Sequence, residues 1–423
     1  MLPSKLMYNN KIASAYARNF TSVIDAQNTS EYSVGQTAII NLPTMNNQFL
    51  SGADSVLSLK LRLRAPALTA HCRLNRCGIA GAIQRLRIFH GSNLLMDLDN
   101  YATLASLLTS YQLAKEDVDG KHSVLAGTSQ GTGRNLGGID VTDSEFEFAI
   151  PLLSILSLTD NYVPMFALTN APLRMEIQFV SSINQFVSSN LAVDSAPLAG
   201  KTFNDVKFIA NFVEVSDAGM QIIAESLGGR PLEWVCQSYA NYVFNTSLVN
   251  GTKQVSMPVP AKFNSLKALY FVTRQYFAGD TSQPTDDMPK FGLSEYSVRI
   301  GSKVIPSTKP NTTPQFLAEM ERALGSVGNR VSPHNYTYEQ ITTDDSVTAG
   351  LNAVSSAFAV GIETESYSSA PMGSVYQGLN TSTDDIFYQP TYAHDAVVNV
   401  RIDCWASYDQ LITIENGQAS VQF

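Results

Sequence analysis

The run SVLSLKLRLRA at residues 55–65 puts Leu57, Leu59, Leu61 and Leu63 on one face and Lys60, Arg62 and Arg64 on the other. A period of two marks a β-strand with one side in a core and the other in water. This alternation constrains the chain more than any other feature, because the same texture returns from residue 35 onward. In the first half it appears in TAIINLP (37–43), IQRLRIFHG (83–91), FEFAIPL (146–152), LRMEIQFV (173–180) and VKFIANFVEV (206–215). In the second half it appears in WVCQSYANYVFN (234–245), KQVSMPV (253–259), SLKALYFVTRQ (265–275) and YSVRIGSKVI (296–305). Three runs close the chain: SSAFAVGIE (355–363), AVVNVRIDCWASY (396–408) and QLITIENGQASVQF (410–423), the last turning at Asn416-Gly417. Asn-Gly supplies the positive φ angles of a tight hairpin.

Helical spacing is confined to short stretches between these runs. Residues 100–112 bring Leu104, Leu107, Leu108 and Tyr111 to one face, with Asp99 or Asn100 as the cap. Ser216 caps a second stretch that ends at Gly228-Gly229, and Thr313 with Pro314 opens a third that stops at Gly325. The pattern predicts an all-β chain of two consecutive eight-stranded jelly-roll β-sandwiches, a double jelly roll, with short helices in loops. The expected divisions are an N-terminal arm at 1–34, a first jelly roll at 35–215 and a second at 216–423. The halves do not align residue by residue, so the duplication rests on strand count and texture.

A chain of 423 residues exceeds one ordinary core, and its net charge of −9 argues against direct, non-specific nucleic-acid binding. Charged residues are only 15% of the chain, below the usual value of roughly 25%, which suits a surface largely spent on contacts with neighbours. No apolar run reaches the roughly 18 residues of a membrane span, and no signal-peptide core opens the chain, so synthesis and assembly in a cytosol are expected. The arm carries Lys5, Lys11 and Arg18 with no acid before Asp25. Residues 4–18 read as a weakly amphipathic basic helix lying on a membrane or a neighbouring subunit.

Several short motifs resemble chemistry without its context. Gly127–Gly131 spells G-x-S-x-G around Ser129, with His122 near in sequence, but no strand–turn–helix pattern surrounds it. Cys72 and Cys77, beside His71, have the look of half a zinc site, yet neither Cys236 nor Cys404 brings a second ligand pair. Glu116–Gly120 resembles part of a calcium loop but has Thr128 where the glutamate belongs. Thr-Asp-Asp occurs at 285–287, 343–345 and 383–385, and each reads as a solvated turn. The five histidines, His71, His90, His122, His334 and His394, are scattered. The expectation is a protein that is no enzyme, with no catalytic, cofactor-binding or metal residues and no cofactor.

The stretch IQRLRIFHGSNLLMDLDNY (83–101), within the run GAIQRLRIFHGSNLLMDLDNYATLASLL and preceded by FLSGADSVLSLKLRL, resembles the first jelly roll of double jelly-roll major capsid proteins. That lineage is the adenovirus-hexon-like one of tailless icosahedral phages, virophages and Polinton-type elements. FAIPLLSIL with NAPLRMEIQF, YSVRIGSKVIPS with FLAEMERALG, QGLNTSTDD and YDQLITIENGQASVQF extend the resemblance over most of residues 35–423. It implies a structural subunit of a virion, made in the host cytoplasm, whose homotrimers form pseudo-hexagonal capsomers that tile an icosahedral shell. Implied partners are the chain itself within the trimer and in neighbouring trimers, together with penton and minor capsid proteins. An internal viral membrane, reached by the arm, is a further implied partner. The competing reading is a lectin-like attachment protein, for which Trp234 and Trp405 would have to leave the core and stack on sugar.

Overall fold

The computed structural model describes residues 17–64, 70–130, 133–139, 142–159, 161–189, 200–276, 283–325, 334–345, 355–365 and 378–422. Alternation drives most of its strands. The first part holds β1 (Ala17–Asp25), β2 (Glu31–Ser33), β3 (Thr37–Leu42), β4 (Gln48–Arg64), β5 (Ala70–Leu74), β6 (Ile83–His90) and β7 (Asn93–Asp99). Three helices follow, α1 (Tyr101–Gln112), α2 (Lys115–Asp119) and α3 (Lys121–Leu125), then β8 (Asn135–Ile139), β9 (Ser144–Ile150), β10 (Leu173–Phe179), β11 (Val187–Ser189) and β12 (Gly200–Val215). Helix α4 (Asp217–Leu227) leads into β13 (Leu232–Ser247), β14 (Gly251–Gln254), β15 (Met257–Val259), β16 (Leu266–Gln275), β17 (Leu293–Ile300) and β18 (Lys303–Ile305). The last elements are α5 (Thr313–Ala323), α6 (Tyr338–Thr342), β19 (Val360–Glu363), β20 (Ile386–His394), β21 (Asn399–Glu415) and β22 (Gln418–Gln422).

The duplication hidden in the sequence is plain in the strand order. In the first lobe the sheets run β1-β12-β4-β9 and β3-β10-β6-β7; in the second they run β13-β21-β16-β19 and β14-β20-β17-β18. Take the eight principal strands of each lobe in chain order, with β14 and β15 together as the second. Both lobes then have sheets ordered 1-8-3-6 and 2-7-4-5, all antiparallel. Both also insert a helix between the fifth and sixth strands, α1 in one and α5 in the other. This is the jelly roll, made twice. Among the described residues strand pairing never crosses Ser216, and a small third sheet, β11-β5-β8, gathers loops of the first lobe.

Each core lies between its two sheets. Leu57, Leu59, Leu61 and Leu63 of β4 point inward, as do Leu173, Met175, Ile177 and Phe179 of β10. Aromatic stacking joins the layers: Phe179 lies 4.1 Å from Phe203 in one lobe, and Phe271 lies 3.8 Å from Tyr388 in the other.

Four expectations need correction. The arm is shorter than residues 1–34, because β1 pairs along its whole length with β12, from Ala17 opposite Val215 to Asp25 opposite Lys207, and β2 pairs with β12 as well. Residues 4–16 of the expected basic helix lie outside the described residues, while Ala17 and Arg18 are strand. The cap of α5 is Thr312, one residue earlier than expected. Helix α1 does not show one buried face: Tyr101 to Tyr111 are all buried, Ser106 and Ser110 included. Each of these serines donates to the carbonyl four residues back, Ala102 and Ser106 respectively, at 2.9 Å, so the helix is sealed on every side without an orphaned hydroxyl.

Strand β20 gave no signal in the sequence because Pro390 interrupts it, and proline is barred from central strands. The tertiary structure resolves the conflict. Within a strand, a residue's N–H and C=O point to the same neighbour, and the Pro390 carbonyl accepts from Val255 N at 2.9 Å. Val255 lies between β14 and β15, where the partner strand is broken, so the donor that proline lacks falls opposite the gap.

Candidate functional site

None of the catalytic lookalikes is assembled. A nucleophile elbow needs a strand, a turn and then a helix. Ser129 instead follows α3 and precedes β8, and its hydroxyl donates to Asp119 Oδ1 at 3.2 Å. All four cysteines are buried and none forms a disulfide. Burial pushes the Cys77 and Cys236 thiols up to about 12 and Cys404 well above its ordinary value, so these are protonated packing groups rather than ligands or nucleophiles. Among the described residues, no group of three or more His, Cys, Asp and Glu is placed to hold a metal. Trp234 and Trp405 are both in the core, which leaves no tryptophan platform for a sugar.

Two of the polar features that the sequence singled out, His90 and the first Thr-Asp-Asp, lie elsewhere, at the seam between the lobes. The sheet led by β13 and β21 turns its outer face toward the first lobe. Residues Ile402–Gln410 of β21 are therefore buried without a break, where a one-sided strand would alternate. From the first lobe this face is met by β7 and α1. His90, 2% exposed, accepts the Ala419 N–H on Nδ1 at 3.1 Å. Asn93 Nδ2 donates to the Ala419 carbonyl at 3.0 Å, Gln410 Nε2 to the Leu95 carbonyl at 2.6 Å, and Asn100 Nδ2 to Asn241 Oδ1 at 2.7 Å. The Asn416-Gly417 hairpin behaves as its sequence predicts, with φ of 51° and 77°, and its tip receives Asn170. The motif 83–101 is thus a strand–turn–helix corner whose turn is a docking surface. Burial lowers the His90 pKa, against the nearby Ala171 backbone, which raises it. An Nδ1 that accepts a hydrogen bond must be unprotonated, so the latch is a neutral imidazole. Asp97 pairs with Arg85 across the β6–β7 hairpin at 2.7 Å.

Deeper in the seam sits a knot around Arg76, which is 0% exposed. Its Nη2 donates to the Ser356 carbonyl at 2.7 Å and to the Asp286 carbonyl, and its backbone N–H donates to Asp286 Oδ2 at 3.0 Å. Asn75 Nδ2 reaches Thr285 Oγ1 at 2.9 Å, and Asp287 Oδ1 accepts from Ser356 N at 2.9 Å. The first Thr-Asp-Asp is therefore not a solvated turn but a buried clasp, with Asp286 2% exposed. The other two are nearer the surface: Asp345 contacts His394 at 3.1 Å, and Asp385 pairs with Lys262 at 3.0 Å. Helix α1 completes the seam, with Tyr111 OH on the Ala357 carbonyl at 2.9 Å and Asn335 N on the Ser110 carbonyl at 3.0 Å. Sequence reasoning had no means to find Arg76 or Asn335, because each partner lies more than two hundred positions away.

Two jelly rolls of one strand order, fused through a seam of buried polar clasps, define a double jelly-roll protein. No family model matches the sequence, and no curated protein matches it. Solved structures do. A chain of the Sputnik virophage structure is similar over 100% of this chain and 92% of its own, with a TM-score of 0.65 at 10% identity. The Faustovirus major capsid protein covers 97% of this chain over 92% of its own, at TM-score 0.64 and 10% identity. The mavirus major capsid protein covers 100% over 93%, at TM-score 0.56 and 13% identity. The chain has the fold of the double jelly-roll major capsid proteins along its whole length.

Proposed function

We propose that the chain is a major capsid protein, a structural subunit of an icosahedral virion. The observation that carries this reading is the repeated 1-8-3-6 and 2-7-4-5 strand order held rigidly in one chain. Three copies of a body with two equivalent sandwiches present six, which is what a pseudo-hexagonal capsomer requires. A sheet of hexagonal units cannot close without five-fold vertices, so penton and minor capsid proteins are the expected partners besides neighbouring trimers. Synthesis in the host cytoplasm follows from the same reading. In this reading the arm is residues 1–16, with the first jelly roll running to 215 and the second from 216. Lys5 and Lys11, without an acid, suit contact with anionic lipid beneath a shell. Arg18 is committed elsewhere, to Glu214 at 2.6 Å.

Light scattering on the purified protein tests the proposal. A stable trimer of about three times 46.0 kDa is expected, and a monomer at micromolar concentration would overturn it. Deleting residues 1–16 should spare the trimer and impair shell assembly. Deleting 1–24 removes most of β1 and should damage the trimer too.

A further inference from the structure

Helix α4 is well made and poorly covered. Ser216 accepts the Gly219 N–H at 3.3 Å, Asp217 sits in the first turn, and Gly228 closes the helix at a φ of 56°. Of its eleven residues only Gly219 is buried. Ile222 is 62% exposed with Ala218 exposed one turn before it, Ala224 is exposed on another face, and Met220, Ile223 and Leu227 are half-covered. An isolated helix of this length is marginal in water, and this one leaves Ile222 uncovered. The helix carries Asp217 and Glu225 and no base, the nearest being Arg230 beyond its end.

The chain end that fits this surface starts next to it. Ala17 pairs with Val215, one residue before the α4 cap, and the Arg18–Glu214 ion pair fastens the same corner. The described chain therefore begins beside the start of α4. Their charge is opposite, Lys5 and Lys11 with no acid, and Leu2, Leu6 and Ile12 supply apolar side chains. Sixteen residues reach about 50 Å when extended, and α4 is only about 16 Å long, so length sets no barrier.

We propose that α4 is a docking surface for residues 1–16 of its own chain in the unassembled protein, with Ile222 as the apolar contact and Glu225, one turn on, facing the lysines. The inference does not depend on the capsid reading, since it needs only the β1–β12 register and the uncovered helix. Disulfide trapping in the full-length protein tests it, because the four native cysteines are buried and do not compete. Lys5→Cys or Lys11→Cys, each combined with Ile222→Cys or Glu225→Cys, should give a cross-link at monomer mass. Cross-links only at dimer mass, or none in any pair, would overturn the proposal. In parallel, trypsin cleavage after Lys5 and Lys11 should speed up about tenfold in Ile222→Glu, the factor given by about 1.4 kcal/mol of lost docking. An unchanged cleavage rate in a variant with unaltered circular dichroism would likewise overturn it.

Discussion

Replacing Arg76 with methionine tests whether the seam is a structural clasp. Methionine retains much of the buried aliphatic stem and removes the guanidinium, so the change isolates the polar part of the knot. The lost interactions are the donations to the Ser356 and Asp286 carbonyls. Hydrogen bonds from a charged group contribute about 1.5–3 kcal/mol each, and stripping one partner from a buried charged cluster costs about 3–5 kcal/mol. Both routes converge on about 4 kcal/mol, most of it from leaving the Ser356 and Asp286 carbonyls buried without their donor. Unfolding entropy of about 2.1 cal/mol/K per residue over the whole chain gives about 0.9 kcal/mol/K, so Tm should fall by about 4–5 °C. Differential scanning calorimetry reads this directly and should also show the single transition broadening as the lobes uncouple. A Tm within about 1 °C of the wild type for Arg76→Met would refute the reasoning.

The His90 latch makes stability depend on pH in a stated direction. Its pKa in the fold is lowered below 6.5, so its contribution is complete above that value and is lost as pH falls through the lowered pKa. His90→Gln, whose amide oxygen accepts without titrating, should flatten that part of a urea-unfolding profile measured against pH. His394 has the opposite sign: burial alone would lower its pKa, but the Ala396 backbone and the Asp345 carboxylate together raise it. Its contribution is complete below 6.5 and is lost as pH rises through the raised value, which Asp345→Asn should weaken. At the hairpin tip, a Cβ on Gly417 would stand 2.2 Å from Thr169 Oγ1 at a φ of 77°. Gly417→Ala should therefore destabilise by about 1–3 kcal/mol in urea unfolding, and more than Gly229→Ala, whose Cβ meets nothing within 4 Å.

Much of the fold was legible because a sandwich strand writes its environment into its own residues. The Leu57–Leu63 ladder, the Tyr296, Val298 and Ile300 alternation, the Ser216 cap and the Asn416-Gly417 turn are all local, and the structure keeps each of them. What escaped were elements whose reason lies in another part of the chain. Short strands such as β5, β8 and β11 pair only among themselves and carry little periodicity. Pro390 fits inside β20 because the gap between β14 and β15 lies opposite it.

The seam shows where the sequence's own authority ends. Alternation along each strand and the caps of each helix determined that this chain would make two β-sandwiches, since period and turn chemistry act over a few residues. That His90 is a latch, that Asp286 is a clasp and that α1 is covered on every side were decided only by the tertiary structure. A histidine, an aspartate or a serine reads as surface until a second lobe removes the water around it. The burial that gives these groups their roles comes from residues more than two hundred positions away.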